Sequence, residues 1–123
     1  MLNTCHTRGH TATLIDPLLH PLPLLDKMYK EFKPGQAPQP LQRMADLIIR
    51  ADGYIIVSGK YNHTIPPALS NVLDHFLEEY FRKPSAIAFG GVRAAMTLRA
   101  MLAELGMSSI PSLFPISHVQ DAF

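Results

Sequence analysis

Two short loops contain the residue types that suit the binding of a flat ligand with polar edges. The first is GKYNH, residues 59–63, directly after an apolar run, and the second is a pair of glycines further along. Glycine lets a backbone approach a ligand closely, and backbone N–H groups at the start of a helix attract polar groups. The candidate binding residues are Gly59, Lys60, Tyr61, Asn62, His63, Gly90 and Gly91. The alternative is structural, with Gly59 and Asn62 as turn formers and Pro66-Pro67 starting a helix, and the pattern alone gives the two about equal weight.

Each loop lies between a predicted strand and a predicted helix. The run YIIVS (54–58) is short, apolar and rich in β-branched residues, which predicts a parallel strand buried on both faces. Apolar residues at helical spacing then predict a helix over 68–80. SAIAF (85–89) predicts the next strand, and residues 92–105 predict a helix ended by Gly106.

Weaker signals flank this central part of the chain. TATLIDP (11–17) predicts a strand, and the proline-rich stretch 18–42 predicts a covering loop with short turns. Apolar residues at helical spacing predict a helix over 41–51, and SSIPSLFPI (108–116) predicts a weak final strand.

Strands that alternate with helices predict an α/β fold with right-handed crossovers and a parallel sheet. In such sheets, ligands bind at the carboxyl ends of the strands. Both candidate loops leave strands at that end, so we expect them to lie side by side.

The composition sets bounds on the function. The chain has 123 residues, a formal net charge of +1 and a single cysteine, Cys5. The small net charge gives no basic surface for nucleic acid. No apolar run is long enough to span a membrane, and a single cysteine cannot form an internal disulfide. We therefore expect a cytoplasmic globular protein with a single domain, residues 1–123, and no nucleic-acid or membrane partner.

Isolated histidines and arginines give little further information. His6 and His10 are four residues apart, but no third ligand has metal-site spacing, so no metal is predicted. His75 is expected on a helix surface, whereas His63 suits the wall of a substrate pocket. Arg93 either meets a nicotinamide phosphate or forms a solvated salt bridge, and the second is favoured.

The segments YNHTIPPALSNVLDHF (61–76) and RKPSAIAFGGVRAAMTLRAMLAELGM (82–107) resemble the NAD(P)H-dependent FMN reductases, a flavodoxin-like family. The resemblance implies bound FMN, NADPH or NADH as electron donor, and a small-molecule electron acceptor. It also implies that residues 59–63 contact the pyrimidine side of the flavin largely through backbone groups, with Gly90-Gly91 as the second wall. Since the flavin carries the chemistry, no catalytic side chain is implied.

Departures from the family pattern shape the expected fold and site. The family usually has Pro-Glu where this chain has Gly59-Lys60, so an ammonium replaces a carboxylate and would favour the anionic reduced flavin. Nothing before Thr11 resembles the family's first strand with its Gly-Ser-x-Arg phosphate loop, and the usual final helix is also missing. The expected fold is α/β, a flavodoxin-like three-layer sandwich with a parallel sheet, incomplete at the N-terminus.

Three accounts explain the missing strand, and two classes of function follow. The accounts are a truncated reading frame, which we favour, direct pairing of strand 11–17 with strand 54–58, and completion by another chain. The first function is an FMN-dependent NAD(P)H oxidoreductase, and the alternative is a remnant that acts as a non-catalytic binding or assembly module. A homodimer or homotetramer is expected from the apolar stripe at the end of helix 68–80. That stripe consists of Phe76, Leu77, Tyr80 and Phe81.

Overall fold

The computed structural model describes residues 2–115, and its helices and strands alternate along the chain. The elements are α1 (Leu2–Thr7), α2 (Gln39–Arg50), β1 (Tyr54–Ser58), α3 (Pro67–Asp74), β2 (Pro84–Phe89), α4 (Val92–Glu104), β3 (Ser108–Ser109) and β4 (Phe114–Pro115), with 3-10 turns at Tyr29–Glu31 and Glu78–Tyr80. The structure confirms the predicted strands at 54–58 and 85–89 and the predicted helices at 41–51 and 92–105. Each of them is determined locally, by apolar periodicity and by flanking Pro and Gly residues.

The sheet is parallel throughout. β1 pairs with β2 from Tyr54↔Ser85 to Ser58↔Phe89, and β3 and β4 pair in turn with the two ends of β2. The predicted strand 108–116 is therefore split into two short pieces, and its last residue lies outside the described residues. Pro111 stands between the pieces and has no N–H to donate to a ladder, which explains the break.

The predicted strand at 11–17 is wrong. The helix α1 ends at Thr7 and is followed by Gly9, which has φ +79°, but the next residues form no strand with any part of the described chain. Asp16 instead forms a turn, in which its side chain accepts the Leu18 N–H at 2.9 Å. This segment therefore does not pair directly with β1, because among residues 2–115 β1 pairs only with β2.

The predicted helix 68–80 is wrong beyond Asp74. The carbonyl oxygen of His75 accepts the N–H of Tyr29 at 2.8 Å, and the N–H of Leu77 bonds to the side chain of Glu79. These bonds replace the helical ladder and turn the chain. As a result Phe76 and Tyr80 both enter the core, where their rings meet edge to face.

A single hydrophobic core joins α2, α3 and α4 to one face of β2. Its most deeply buried side chains are Ala45, Phe76, Ile87, Ala95, Leu98 and Leu102. Right-handed crossovers that advance from β1 to β2 to β3 place α3 and α4 on the same face of the sheet, which agrees with this shared core.

The opposite face of β1 is open. Ile55 and Val57 are each 51% exposed, whereas Ser58 is buried and Tyr54 and Ile56 pack against the core. The prediction that this strand is buried on both faces is therefore wrong, since residues 2–115 supply helices to one face only. They contribute the sheet and one helical layer of the expected sandwich.

The stretch before α2 is a covering segment, as predicted. Asn71 on α3 holds it in two places: its Oδ1 accepts the Leu25 N–H at 2.9 Å, and its Nδ2 donates to Pro23 O at 3.0 Å. Leu22 and Tyr29 pack against the core from this segment. It therefore covers α3, and its regular structure is limited to the 3-10 turn at Tyr29–Glu31.

Candidate functional site

The two candidate loops begin side by side at the carboxyl edge of the sheet. Ser58 and Phe89, the last residues of β1 and β2, are partners in the parallel register. The N–H of Gly90 donates to Ser58 O at 3.1 Å, which ties the start of one loop to the other. The expectation that topology brings these loops together is confirmed.

Residues Tyr61 to Thr64 form a tight hairpin turn in the first loop. Tyr61 and Thr64 exchange two backbone hydrogen bonds of 2.8 Å. The central residues have φ +49° (Asn62) and φ +63° (His63), the pattern of a type I′ turn. The structural alternative for Asn62, a turn former, agrees with this backbone, because asparagine tolerates the conformation better than most residues, and its role in binding stays a prediction.

The fold constrains Gly91 and Gly59 to different degrees. Gly91 has φ +139°, and a Cβ there would lie 3.1 Å from Cδ of Lys60. The backbone therefore favours glycine at this position, and a Cβ would also require the stem of Lys60 to shift slightly. A Cβ on Gly59 would meet nothing within 4 Å and its φ is ordinary, so the fold does not require glycine there.

A cavity of about 210 Å³ opens where the two loops meet. It is lined by Lys60, His63, Gly91, Val92, Arg93 and Ala94. The cavity brings together three of the predicted site residues; Gly59, Tyr61, Asn62 and Gly90 do not line it. The sequence reasoning missed Val92 and Ala94, since small apolar residues in a first helical turn resemble core positions.

Two cationic side chains and a histidine meet at this cavity. The guanidinium of Arg93 points at Nε2 of His63 across 3.5 Å, and Lys60 lines the same space. The contact of Arg93 is thus with a histidine, in place of the carboxylate favoured from sequence. Within residues 2–115 no side chain caps α4, so the N–H groups of its first turn can meet a polar ligand.

His75 and Arg99 have structural roles. His75 is buried and its Nδ1 donates to Asn71 O at 2.6 Å, so its expected place on the surface is wrong. Arg99 donates to the carbonyl oxygens of Ile110 and Pro111 and holds the bend between β3 and β4. Within residues 2–115 no group of three or more His, Cys, Asp or Glu side chains could hold a metal.

The titratable groups with shifted pKa values lie at the opposite edge of the sheet. Burial raises the pKa of Tyr54 to about 12, and the charge of Glu79 acts in the same direction. Burial also raises the pKa of Tyr80 and lowers that of Lys83. Lys83 donates to Ile48 O and Ile49 O at 2.8 Å and so caps α2. This cluster stabilises the fold and is not part of the cavity.

Sequence comparison relates the chain to flavin-dependent reductases. A profile of the family "NADPH-dependent FMN reductase" matches residues 1–121. An NADPH azoreductase of Bacillus sp. (strain OY1-2) is 29% identical over 90 residues, which cover 66% of this chain and 51% of the azoreductase. The chain thus spans about half the length of this curated relative.

Structural comparison supports the same architecture. The solved structure of FerB, a flavoenzyme NAD(P)H:(acceptor) oxidoreductase from Paracoccus denitrificans, is similar with a TM-score of 0.64 and 22% sequence identity. The similarity covers 81% of this chain and 60% of FerB. At this identity the likeness speaks for the fold alone, and it confirms the flavodoxin-like α/β class with a parallel sheet.

Proposed function

The chain belongs to the NADPH-dependent FMN reductase family, and we propose that it forms all or part of an oxidoreductase that uses bound FMN to transfer electrons from NADPH or NADH to a small-molecule acceptor. The observation that carries this proposal is the meeting of residues 59–63 with Gly90-Gly91 at the carboxyl edge of a parallel sheet. Ligands of open α/β sheets bind at this edge.

Two features of the loops support a binding site for the flavin ring. The backbone at Gly59 faces open space, and Gly91 keeps the second loop close to Lys60. When bound, FMN supplies the redox chemistry, since it can accept a hydride from a nicotinamide and pass electrons on. The loops would bind and orient the ring through backbone N–H and C=O groups. The residues assigned to this role are Gly59, Lys60, Tyr61, Asn62, His63, Gly90 and Gly91.

The phosphate of FMN would be held elsewhere. Among residues 2–115, the loops that lead from a strand into a helix are 59–66 and 90–91, and neither has the Gly-Ser-x-Arg pattern of the family. We therefore assign recognition of the flavin ring to the two loops. The complete activity is proposed for a protein that also contains a site for the phosphate.

A homodimer or homotetramer in the cytoplasm is the second element of the proposal. Phe76 and Tyr80 are buried within the subunit and Phe81 is 48% exposed, so only part of the stripe expected from sequence is available for the contact. Val92 and Met96 on α4 are 65% and 55% exposed, and Val92 lines the cavity. An interface on this face of α4 would place a second subunit beside the flavin.

No helix of the described chain has the length and apolarity to cross a membrane.

The direct test is to purify the protein and follow its flavin. We expect a yellow protein that releases FMN on denaturation and is bleached by NADPH or NADH under anaerobic conditions. A protein that takes up no FMN even when every residue encoded upstream in the same frame is included would contradict the proposal.

A second candidate, a non-catalytic binding or assembly module, is favoured by one observation. Ile55 and Val57 expose an apolar face of β1, as a surface for another chain would. Titration of residues 1–123 with FMN and with riboflavin separates the candidates, because the two ligands differ by the phosphate. Loss of three charge-assisted hydrogen bonds of about 1.5 kcal/mol or more each would weaken FMN binding by at least about three orders of magnitude. Submicromolar FMN binding, much tighter than that of riboflavin, would rule out the module and reveal a phosphate site.

A further inference from the structure

Two cationic side chains, Lys60 and Arg93, line the cavity between the two loops. His63 and the first turn of α4 also line it. The chain contains no acidic residue in residues 53–73 or in residues 80–103, the two stretches that contain the loops. The charged side chains of these two stretches are therefore all cationic, and the N–H dipoles of α4, which no side chain of residues 2–115 caps, add a positive contribution.

Lys60 is the cation that connects the two loops. Its Cδ and Cβ lie 3.1 Å and 3.5 Å from the place that a Cβ on Gly91 would take. The aliphatic stem of Lys60 therefore crosses the second loop directly over its glycine, and the side chain continues into the lining of the cavity. A side chain packed along its stem loses less freedom when its ammonium meets a ligand.

We propose that Lys60 makes the site select the reduced form of FMN over the oxidised form; the inference rests on the function proposed above. Transfer of a hydride from nicotinamide to FMN leaves the nicotinamide ring as a cation and adds two electrons and one proton to the flavin. The reduced ring therefore gains one negative charge. A cation next to the ring stabilises that charge and has little effect on the neutral oxidised ring, so it raises the affinity for the reduced form.

The test compares the dissociation constants of oxidised FMN and of dithionite-reduced FMN, both measured by anaerobic calorimetry. Their ratio isolates the charge on the ring, because the phosphate and the ring contacts are common to the two forms. The variants are Lys60→Gln, Lys60→Glu and Lys60→Arg. Arg43→Gln is the matched control, since Arg43 is an exposed cation on α2 that does not line the cavity.

We expect the wild-type protein to bind reduced FMN more tightly than oxidised FMN. Lys60→Gln should lower this preference about tenfold, which for a two-electron couple equals about 30 mV in potential. Lys60→Glu should lower it further, whereas Lys60→Arg and Arg43→Gln should retain it, because the first keeps the charge and the second changes a distant one.

The possible failures are distinct. An unchanged ratio in Lys60→Gln and Lys60→Glu, with both forms of FMN still bound, overturns the role of Lys60 and leaves the proposed function intact. An equal fall in Arg43→Gln would also overturn it, because the effect would then come from overall charge. Failure of the wild-type protein to bind FMN in either form, with every residue encoded upstream in the same frame included, would contradict the proposed function, and this inference with it.

Discussion

The N–H of Gly90 donates to the carbonyl oxygen of Ser58 at 3.1 Å, so the loop after β2 is fastened to the last residue of β1. Gly91 follows at once, in a conformation that side chains rarely adopt and in contact with Lys60. The geometry of the site thus depends on two adjacent residues. Gly90 is held by a hydrogen bond, and Gly91 adopts its conformation beside Lys60 because it has no side chain.

We expect Gly91→Ala to destabilise the protein by about 1–3 kcal/mol, because φ +139° is strained for any other residue. The added methyl group would also displace the stem of Lys60. Urea unfolding measures the first effect and flavin titration the second. A variant as stable as the wild type would show that the loop relaxes without strain.

The matched control is Gly59→Ala. Its Cβ would enter open space and its backbone is unstrained, so the free energy of unfolding should stay within about 0.5 kcal/mol of the wild-type value or rise slightly. If the loop contacts the flavin ring, affinity for FMN should nevertheless fall, because the methyl group would occupy the ligand's space. Unchanged affinity would remove Gly59 from the proposed site.

His63→Gly is expected to stabilise the protein. The φ of His63 is +63°, and Asn-Gly is the preferred pair for a type I′ turn. The gain in the free energy of unfolding should be about 0.5–1 kcal/mol, measured in urea. A loss of stability would mean that the contact of His63 with Arg93 outweighs the strain of the turn.

Asn71→Ala should release the covering segment from α3. Both hydrogen bonds of the Asn71 side chain, to Leu25 and to Pro23, would be lost at a cost of about 1–2 kcal/mol. Asn71→Asp keeps the acceptor for the Leu25 N–H but loses the donor to Pro23, so its loss should be smaller. Urea unfolding and limited proteolysis of residues 18–28 would measure the two effects, and equal losses in both variants would contradict this assignment.

Stability should fall at alkaline pH. Tyr54 ionises near pH 10 in the unfolded chain but with a pKa of about 12 in the folded one, so its contribution is complete below pH 10 and is lost as the pH rises towards 12. Tyr80 acts in the same direction. The lowered pKa of Lys83 opposes them, because folding then favours loss of its proton.

Tyr54→Phe separates these contributions. The variant should be less stable at pH 7, since the bond from the Tyr54 hydroxyl to Ile48 O at 2.8 Å is lost. Its stability should then fall less steeply than that of the wild type between pH 10 and pH 12. Urea unfolding at pH 8 and pH 11 provides the comparison, and parallel losses in the two proteins would contradict the role of Tyr54.

The elements that hold the site were predictable because their signals are local. β1 and β2 are short apolar runs, and α4 begins after Gly91 and ends before Gly106. The meeting of the two loops then follows from parallel topology alone. The assignment of the loop residues to FMN came from resemblance to a family and stays a prediction.

The errors arose where distant residues decide the structure. The turn after Asp74 depends on a hydrogen bond from Tyr29, which lies far away in sequence. Residues 11–17 alternate like a strand, but a strand also needs a neighbour to pair with, and periodicity cannot supply one. For the same reason, the apolar run of β1 could not reveal that Ile55 and Val57 are half exposed.

Among residues 2–115, the open face and outer edge of β1 form a surface that can promote aggregation. An uncovered strand with apolar side chains is a template on which other chains can add by backbone pairing, which leads to aggregation. Ile55 and Val57 occupy alternate positions on that strand, so one charged substitution there would interrupt the apolar row. The solubility of Val57→Lys, compared with that of the wild type as protein concentration rises, would therefore show whether the rest of the polypeptide, or a second chain, already shields this strand.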